Sequence, residues 1–195
     1  MPKRFVLITS PPACGKTRLA KKLSSELDNV VYLDKDTLIP LSKQIYKVAH
    51  KPYNRSSAFF YKNIRDYEYE VIVNLGMEAL RYSETVIINA PFTSEVRDLN
   101  YVNALKTRLG KMDAELFVIW ISATPEISYK RMKKRNSDRD KWKLEHWDEY
   151  VKKVNFAPPK EIDNLFIYKN ENDEEAERCF SELLKIMKNA DNQLI

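Results

Sequence analysis

The segment Phe5-Val6-Leu7-Ile8-Thr9-Ser10-Pro11-Pro12-Ala13-Cys14-Gly15-Lys16-Thr17 constrains the fold of this chain more than any other. Its opening apolar run, rich in β-branched residues, predicts a buried parallel strand. Leu19, Ala20, Leu23 and Leu27 then recur at helical spacing, so a helix follows. Between the two lies a turn ending in Gly-Lys-Thr, and strand, turn and helix in that order are the context a phosphate-binding loop requires. Amide N–H groups at a helix start lack intrahelical partners and stand at the positive end of the helix dipole, so they can cradle a polyphosphate. Ala13, Cys14 and Gly15 are expected to supply that cradle, Lys16 to reach the terminal phosphates, and the Thr17 hydroxyl to bind Mg²⁺. The pattern G-x-x-x-x-G-K-[ST] has glycine where Ser10 stands, and Pro11 and Pro12 carry no N–H. The donors that matter lie nearer the helix, and proline holds its preceding residue extended, so stiffness here replaces glycine's freedom. The competing reading is an ordinary strand–turn–helix in which Gly15 only relieves a tight turn.

A chain of 195 residues accommodates one domain with a sizeable core, and 44% hydrophobic with 31% charged residues is the composition of a globular protein. Two cysteines, Cys14 and Cys179, form no disulfide framework or metal-ligand cluster, which predicts a reduced, cytoplasmic setting. The first apolar run covers only Phe5 to Ile8 before a proline turn, so neither a signal peptide nor a membrane span is expected. The net charge of +5 is concentrated: residues 130, 131, 133, 134, 135, 139, 141 and 143 are basic, against Asp138 and Asp140. One basic segment beside a phosphate site suits a polyphosphate, whereas a duplex binder spreads its charge over a face.

Beyond the first helix, Val30 to Leu33, Thr85 to Asn89, Ala114 to Ile121 and Leu165 to Tyr168 read as further short strands. Between them, Leu38 to His50 and Ser57 to Tyr82 are helical, the latter with Phe60, Ile64, Tyr67, Val71, Leu75 and Ala79 as its apolar stripe. Glu95 to Leu109 is helical and closed by Gly110 as a cap, and Thr124 with Pro125 starts another helix. Trp142 to Val154 and Glu174 to Lys188 complete the helices. Five strands alternating with helices imply an α/β fold, a parallel sheet covered on both faces, with ligands at the carboxyl ends of the strands.

Those ends carry the remaining candidates. Asp34 and Asp36, one residue apart past the second strand, point the same way. Phosphoryl transfer to a hydroxyl needs a carboxylate for the acceptor's proton, which assigns Asp36 as base and Asp34 as organiser of Mg²⁺ or acceptor. Helix capping is the alternative use of Asp36. Asn89 ends the third strand where an aspartate would normally hold magnesium, so a metal role there is weaker. Arg97 and Arg65 are candidates for acceptor contact. Arg131, Arg135 and Arg139 recur every four residues and share one side while the helix continues, as arginines closing over phosphates would. The polar run from Asn136 to Asp140 has the composition of a helix break, which a lid over about residues 131–155 requires. A basic surface for single-stranded nucleic acid, with Trp142 and Trp147 as stacking platforms, competes with the lid. His50 and His146 have no partners at ligand spacing.

With these residues in place, the chain resembles the small P-loop kinases of the nucleoside-monophosphate-kinase-like branch. It is similar to the group holding polynucleotide 5′-hydroxyl kinases, zeta-toxin-type kinases and chloramphenicol phosphotransferase. Pro12 to Thr17 matches the phosphate loop, Asp34-Lys35-Asp36 the acceptor-side aspartates, Val86 to Phe92 the third-strand motif, and Arg131 to Arg139 the arginine lid. The resemblance spans nearly the whole chain. It implies a three-layer P-loop NTPase sandwich over residues 1–195, strand order 2-3-1-4-5, with ATP and Mg²⁺ as cofactors. It further implies transfer of the γ-phosphate to a hydroxyl of a small-molecule or nucleotide-like acceptor, by a monomer or homodimer. A polynucleotide 5′ end is the less favoured acceptor, and a catalytically weak nucleotide-binding module is the non-enzymatic alternative.

Overall fold

Side chains alternate across a strand, and in β1 (Lys3–Thr9) this sends Phe5 and Leu7 to one face and Val6 and Ile8 to the other, all buried. A strand apolar on both sides must be covered twice. β1 lies at the centre of a five-stranded parallel sheet with β2 (Val30–Asp34), β3 (Thr85–Asn89), β4 (Ala114–Ser122) and β5 (Leu165–Lys169), in the order β2-β3-β1-β4-β5. The order is the one the resemblance implies. The structure is a computed structural model, and it describes residues 3–137 and 140–189. Arg139 of the expected lid lies outside the described residues.

The helices are α1 (Lys16–Ser25), α2 (Ile39–Val48), α3 (Ala58–Phe60), α4 (Asp66–Ala79), α5 (Leu99–Gly110), α6 (Pro125–Arg135), α7 (Lys141–Glu145), α8 (Trp147–Lys153) and α9 (Asp173–Asn189). On one face of the sheet, Val6, Ile8, Ile119 and Ile121 pack against Leu19 and Leu23 of α1 and Phe180 and Leu183 of α9. On the other, Phe5, Leu7, Val86, Ile88 and Trp120 pack against Ile72 and Val73 of α4 and Val102 and Leu105 of α5. Each large side chain so buried contributes about 1.5–3 kcal/mol. Gly76 lets α4 approach closely, since a Cβ there would lie 2.7 Å from Phe5 Cε2 and 2.9 Å from Ile88 Cδ1. No helix among the described residues is long and apolar enough to cross a membrane.

Four local expectations are corrected. The long helix is present, but its buried stripe is not the expected one: Tyr67, Val71 and Leu75 are exposed, while Glu68, Tyr69, Ile72, Val73 and Met77 are buried. The cause is a π turn over Tyr61–Arg65, whose wider i→i+5 spacing advances the buried face from Ile64 to Tyr69. The fifth helix starts later than expected. A 3-10 turn over Glu95–Arg97 precedes it, and Asp98 caps α5 by accepting from the amides of Asn100 and Tyr101. Gly110 is the last helical residue rather than the cap, and the left-handed residue before β4 is Asp113, at φ 51°. The helical stretch after Trp142 is likewise divided at His146 into α7 and α8. As expected, Thr124 caps α6 with Pro125 in its first turn, and Asn136 ends it in the left-handed region.

Register aligns the strand exits. Asp34 stands beside Asn89, Asn89 beside Ile8, Thr9 beside Trp120, and Ser122 beside Lys169. The loops leaving β2, β3 and β1 therefore open side by side, where parallel sheets bind ligands.

Candidate functional site

The turn after β1 reverses within a few residues, and two of them take positive φ: Ala13 at 61° and Gly15 at 110°. Gly15 precedes the first residue of α1, so the first helical amides open onto the turn. A side chain at Gly15 would be strained by φ and blocked by space, because its Cβ would lie 2.3 Å from Asn170 Nδ2. The loop is braced from outside. Asn170, just past β5, donates from Nδ2 to the Cys14 carbonyl at 2.6 Å, and Ser128 of α6 donates to the Pro12 carbonyl at 2.8 Å. Arg131 donates to the carbonyls of Cys14 (3.3 Å) and Asn170 (2.9 Å). Cys14 itself is fully buried, and that burial pushes its thiol pKa up despite Lys16 nearby.

Lys16 lies back along the loop, with Nζ donating to the Ser10 carbonyl (3.0 Å), Ser10 Oγ (3.2 Å) and the Pro11 carbonyl (3.1 Å). Ser10, at the place of the missing glycine, is thus a lysine partner with its side chain fully buried. Thr17, one residue on, meets the ends of β2 and β3. Asn89 Nδ2 donates to Thr17 Oγ1 at 3.0 Å and to Asp34 Oδ2 at 2.9 Å, with Tyr32 Oη at 3.4 Å. Tyr32 donates to the same Asp34 oxygen at 2.8 Å, and burial together with that carboxylate pushes the phenol pKa up, so Tyr32 remains a donor. Asn89 Oδ1 is buried and has no hydrogen-bond partner among the described residues. Three oxygen-bearing side chains, Thr17, Asp34 and Asn89, therefore meet at one point beside the loop. Among the described residues no group of three or more His, Cys, Asp or Glu could hold a metal by itself.

Asp36 sits outside this knot with its side chain 47% exposed. It does not cap the following helix: Asp34 Oδ1 instead accepts from the Asp36 amide at 2.9 Å. Behind Asp36 lies a buried charge network. Lys35, 2% exposed, pairs with Glu68, 4% exposed, at 2.9 Å, and approaches Asp36 Oδ1 at 3.9 Å. Arg55 forks onto both Glu68 oxygens at 3.0 and 2.7 Å, and Ser42 donates to one of them. Burial alone would raise the Glu68 pKa, but the Arg55 and Ser42 hydrogen bonds and the Lys35 charge hold it below the ordinary value. Removing one partner from such a pair costs about 3–5 kcal/mol, because a buried charge is left uncompensated.

The other expected arginines are placed as follows. Arg65 pairs with Glu95 at 2.5 Å and Asp66 at 2.9 Å, and its guanidinium lies 4.4 Å from the Tyr69 ring centre. Arg97 donates to the carbonyls of Thr93 (2.6 Å), Asn155 (3.3 Å) and Ala157 (2.5 Å) and stacks over Trp120 at 4.5 Å, tying the β3 exit to the segment after α8. Arg135 forks onto Asp140, whose side chain is fully buried, at 2.9 and 2.5 Å. Trp147 packs edge-on against Tyr129 at 4.9 Å, whereas Trp142 is 43% exposed and stacks on His146. Sequence reading placed Asn170 among the strand exits expected to converge, without a role, and missed Ser128, Tyr32, Glu68 and Glu95.

The family model described as an AAA domain matches residues 6–157. Solved structures share the fold across nearly full length. A candidate kinase from Chloroflexus aurantiacus J-10-fl has a TM-score of 0.68 at 14% identity, covering 97% of this chain and 98% of its own. A gluconokinase from Sinorhizobium meliloti 1021 follows at 0.58 and 13%, covering 100% and 98%, and a shikimate kinase from Bacteroides thetaiotaomicron at 0.53 and 15%, covering 96% and 99%. No curated protein sequence matches. At these identities the likeness is one of fold, and the fold is that of P-loop kinases.

Proposed function

The chain belongs to the AAA domain family, and on that premise we propose that it is an ATP-dependent kinase of the nucleoside-monophosphate-kinase-like branch. It moves the γ-phosphate of ATP to a hydroxyl of a small-molecule or nucleotide-like acceptor. The observation that carries this reading is the hydrogen-bonded knot of Thr17, Asn89 and Asp34, which joins the phosphate loop to the acceptor-side aspartates.

Amides from Ala13 to Thr17 cradle the phosphates, and Lys16 exchanges neutral oxygens of Ser10 and Pro11 for charged phosphate oxygens, which bind it roughly twice as strongly. Hard oxygens suit Mg²⁺, which keeps several waters and takes one or two carboxylates plus substrate phosphates. Thr17 and Asp34 fit that description, whereas Asn89 turns its Nδ2 to both and would offer its Oδ1 to a metal only after the amide turned over. When bound, the metal neutralises charge on the phosphoryl oxygens. Asp36, exposed beside the knot, receives the acceptor's hydroxyl proton. Arg131 already touches the loop and stabilises the transferring group, while Arg135 reaches it only by giving up Asp140. Residues of about 131–155 serve as the lid, and Arg97 holds its far end.

Nucleotide binding with weak catalysis is the second reading, favoured by the neutral Asn89 at the β3 exit. Phosphate transfer from γ-labelled ATP separates the two. Asp36→Ala should lower transfer by about 10²–10⁴-fold and leave the Kd for ATP within about threefold. A variant that transfers as well as the wild type removes Asp36 as base, and a wild type that transfers to no acceptor favours the binder.

A further inference from the structure

We propose that Asn170 and Ser128 are positioning residues for the nucleotide's phosphates: each fixes the direction of one cradle amide by holding the carbonyl of the same peptide. The inference rests on the kinase reading above and adds residues that lie outside both the phosphate loop and the acceptor-side aspartates.

A trans peptide is planar, so its C=O and its N–H point in opposite directions, and no peptide among the described residues is cis. A partner on the carbonyl therefore aims the amide of the next residue the other way. The Cys14 carbonyl accepts from Asn170 Nδ2 at 2.6 Å and from Arg131 at 3.3 Å, which turns the Gly15 N–H away from both. The Pro12 carbonyl accepts from Ser128 Oγ at 2.8 Å, which turns the Ala13 N–H away from α6. The Lys16 amide is set by α1 itself, because the Gly15 carbonyl accepts from the Leu19 amide at 3.1 Å. Positive φ at Ala13 and Gly15 is the left-handed half of an anion nest, in which successive amides converge on one hollow.

The peptides just before run the other way round. The carbonyls of Ser10 and Pro11 accept from Lys16 Nζ at 3.0 and 3.1 Å, so an amide on either peptide would face away from the lysine. Those amides would belong to Pro11 and Pro12, which have no N–H. The double proline thus stands at the peptides that could not donate to a phosphate beside Lys16. The residues that keep an N–H, Ala13 and Gly15, follow carbonyls held from outside the loop. Without its holder, such a peptide can turn about its flanking dihedrals and offer the phosphate a carbonyl oxygen, which repels it. Ser128 is fully buried, and Asn170 stands so close that a Cβ at Gly15 would lie 2.3 Å from its Nδ2.

The test reads Gly15 directly. The chain has three glycines, and only Gly15 follows a cysteine, so isotope labels on glycine nitrogen and cysteine carbonyl carbon single out its amide by NMR. The full chain is titrated with ATP and Mg²⁺ as wild type, Asn170→Ala and Ser128→Ala. In the wild type the Gly15 amide should shift on saturation, while Gly76 and Gly110 stay in place. Each variant should weaken ATP binding by about tenfold. In Asn170→Ala saturated with ATP, the Gly15 amide should remain short of its wild-type bound position. A substitution that only lowers stability reaches that position once saturated, so this readout separates positioning from structural support. Unchanged affinity in both variants, or a wild-type Gly15 position in saturated Asn170→Ala, overturns the assignment. An unmoved Gly15 amide in ATP-saturated wild type overturns it without any variant, which keeps the test decisive should Asn170→Ala fail to fold. A wild type that does not bind ATP removes the kinase reading instead, and this inference with it.

Discussion

At Asn89 the chain sets a neutral amide between a hydroxyl and a carboxylate, and the amide nitrogen bonds to both. The sequence shows only that asparagine stands where an aspartate is usual. The structure shows what the amide does there: it is a donor to Asp34, which an aspartate could not be. Asn89→Asp would bring two carboxylates into contact and raise the pKa of one above its unfolded value of about 3.9. A raised carboxyl pKa gives stability that is present below the unfolded value and lost as pH rises through the folded one. The variant should therefore be less stable than wild type by about 1–2 kcal/mol at pH 7 without metal. It should approach wild type near pH 4 or with millimolar Mg²⁺. Thermal unfolding at the two pH values checks this, and an unchanged Tm at pH 7 without Mg²⁺ contradicts it. Lys16, Thr17, Asp34 and Asp36 were legible as candidates because each occupies a fixed offset from a strand or helix start. Ser128 and Glu95 were not, since a polar residue brought to a site by tertiary packing leaves no local pattern.

Among the elements, α4 shows how periodicity misleads. Tyr67, Val71 and Leu75 step as a core stripe should, and the π turn before them turns that stripe to solvent. Nothing in apolar spacing marks a π turn, because its effect is a change of phase and not of period. What α4 buries instead includes Glu68, which joins the turn after β2, the α2 residue Ser42 and Arg55. Glu68 is held below its ordinary pKa of 4.5, so its contribution is present above that value and lost as pH falls through the folded one. Glu68→Gln should cost about 3 kcal/mol or more at pH 7, and the deficit should shrink at an acid pH below the ordinary carboxylate range, as the contribution of Glu68 is lost. Urea unfolding of both proteins at the two pH values reads this difference directly. A deficit that does not change with pH would mean that Glu68 acts by packing alone.

For the whole molecule, strand alternation and apolar coverage on both faces made the α/β class readable. The order β2-β3-β1-β4-β5 came from resemblance and is the order observed. That order is what places the exits of β2 and β3 beside the loop after β1, and so brings Asn89 to Asp34 and to Thr17 across 55 and 72 residues of chain. Helices and strands were legible because their periods are written along the chain, whereas the charge network behind Asp36 depends on tertiary neighbours and was not. The proposed kinase activity requires one hollow in which loop amides, Lys16 and Thr17 would face a polyphosphate together with Asp34. Calorimetric titration of ATP with Mg²⁺ into wild type and Lys16→Ala measures that hollow most directly. The predicted result is saturable binding by the wild type and an affinity about 100-fold weaker or more in the variant. Equal affinity in the two proteins, or no binding by the wild type, would contradict the account.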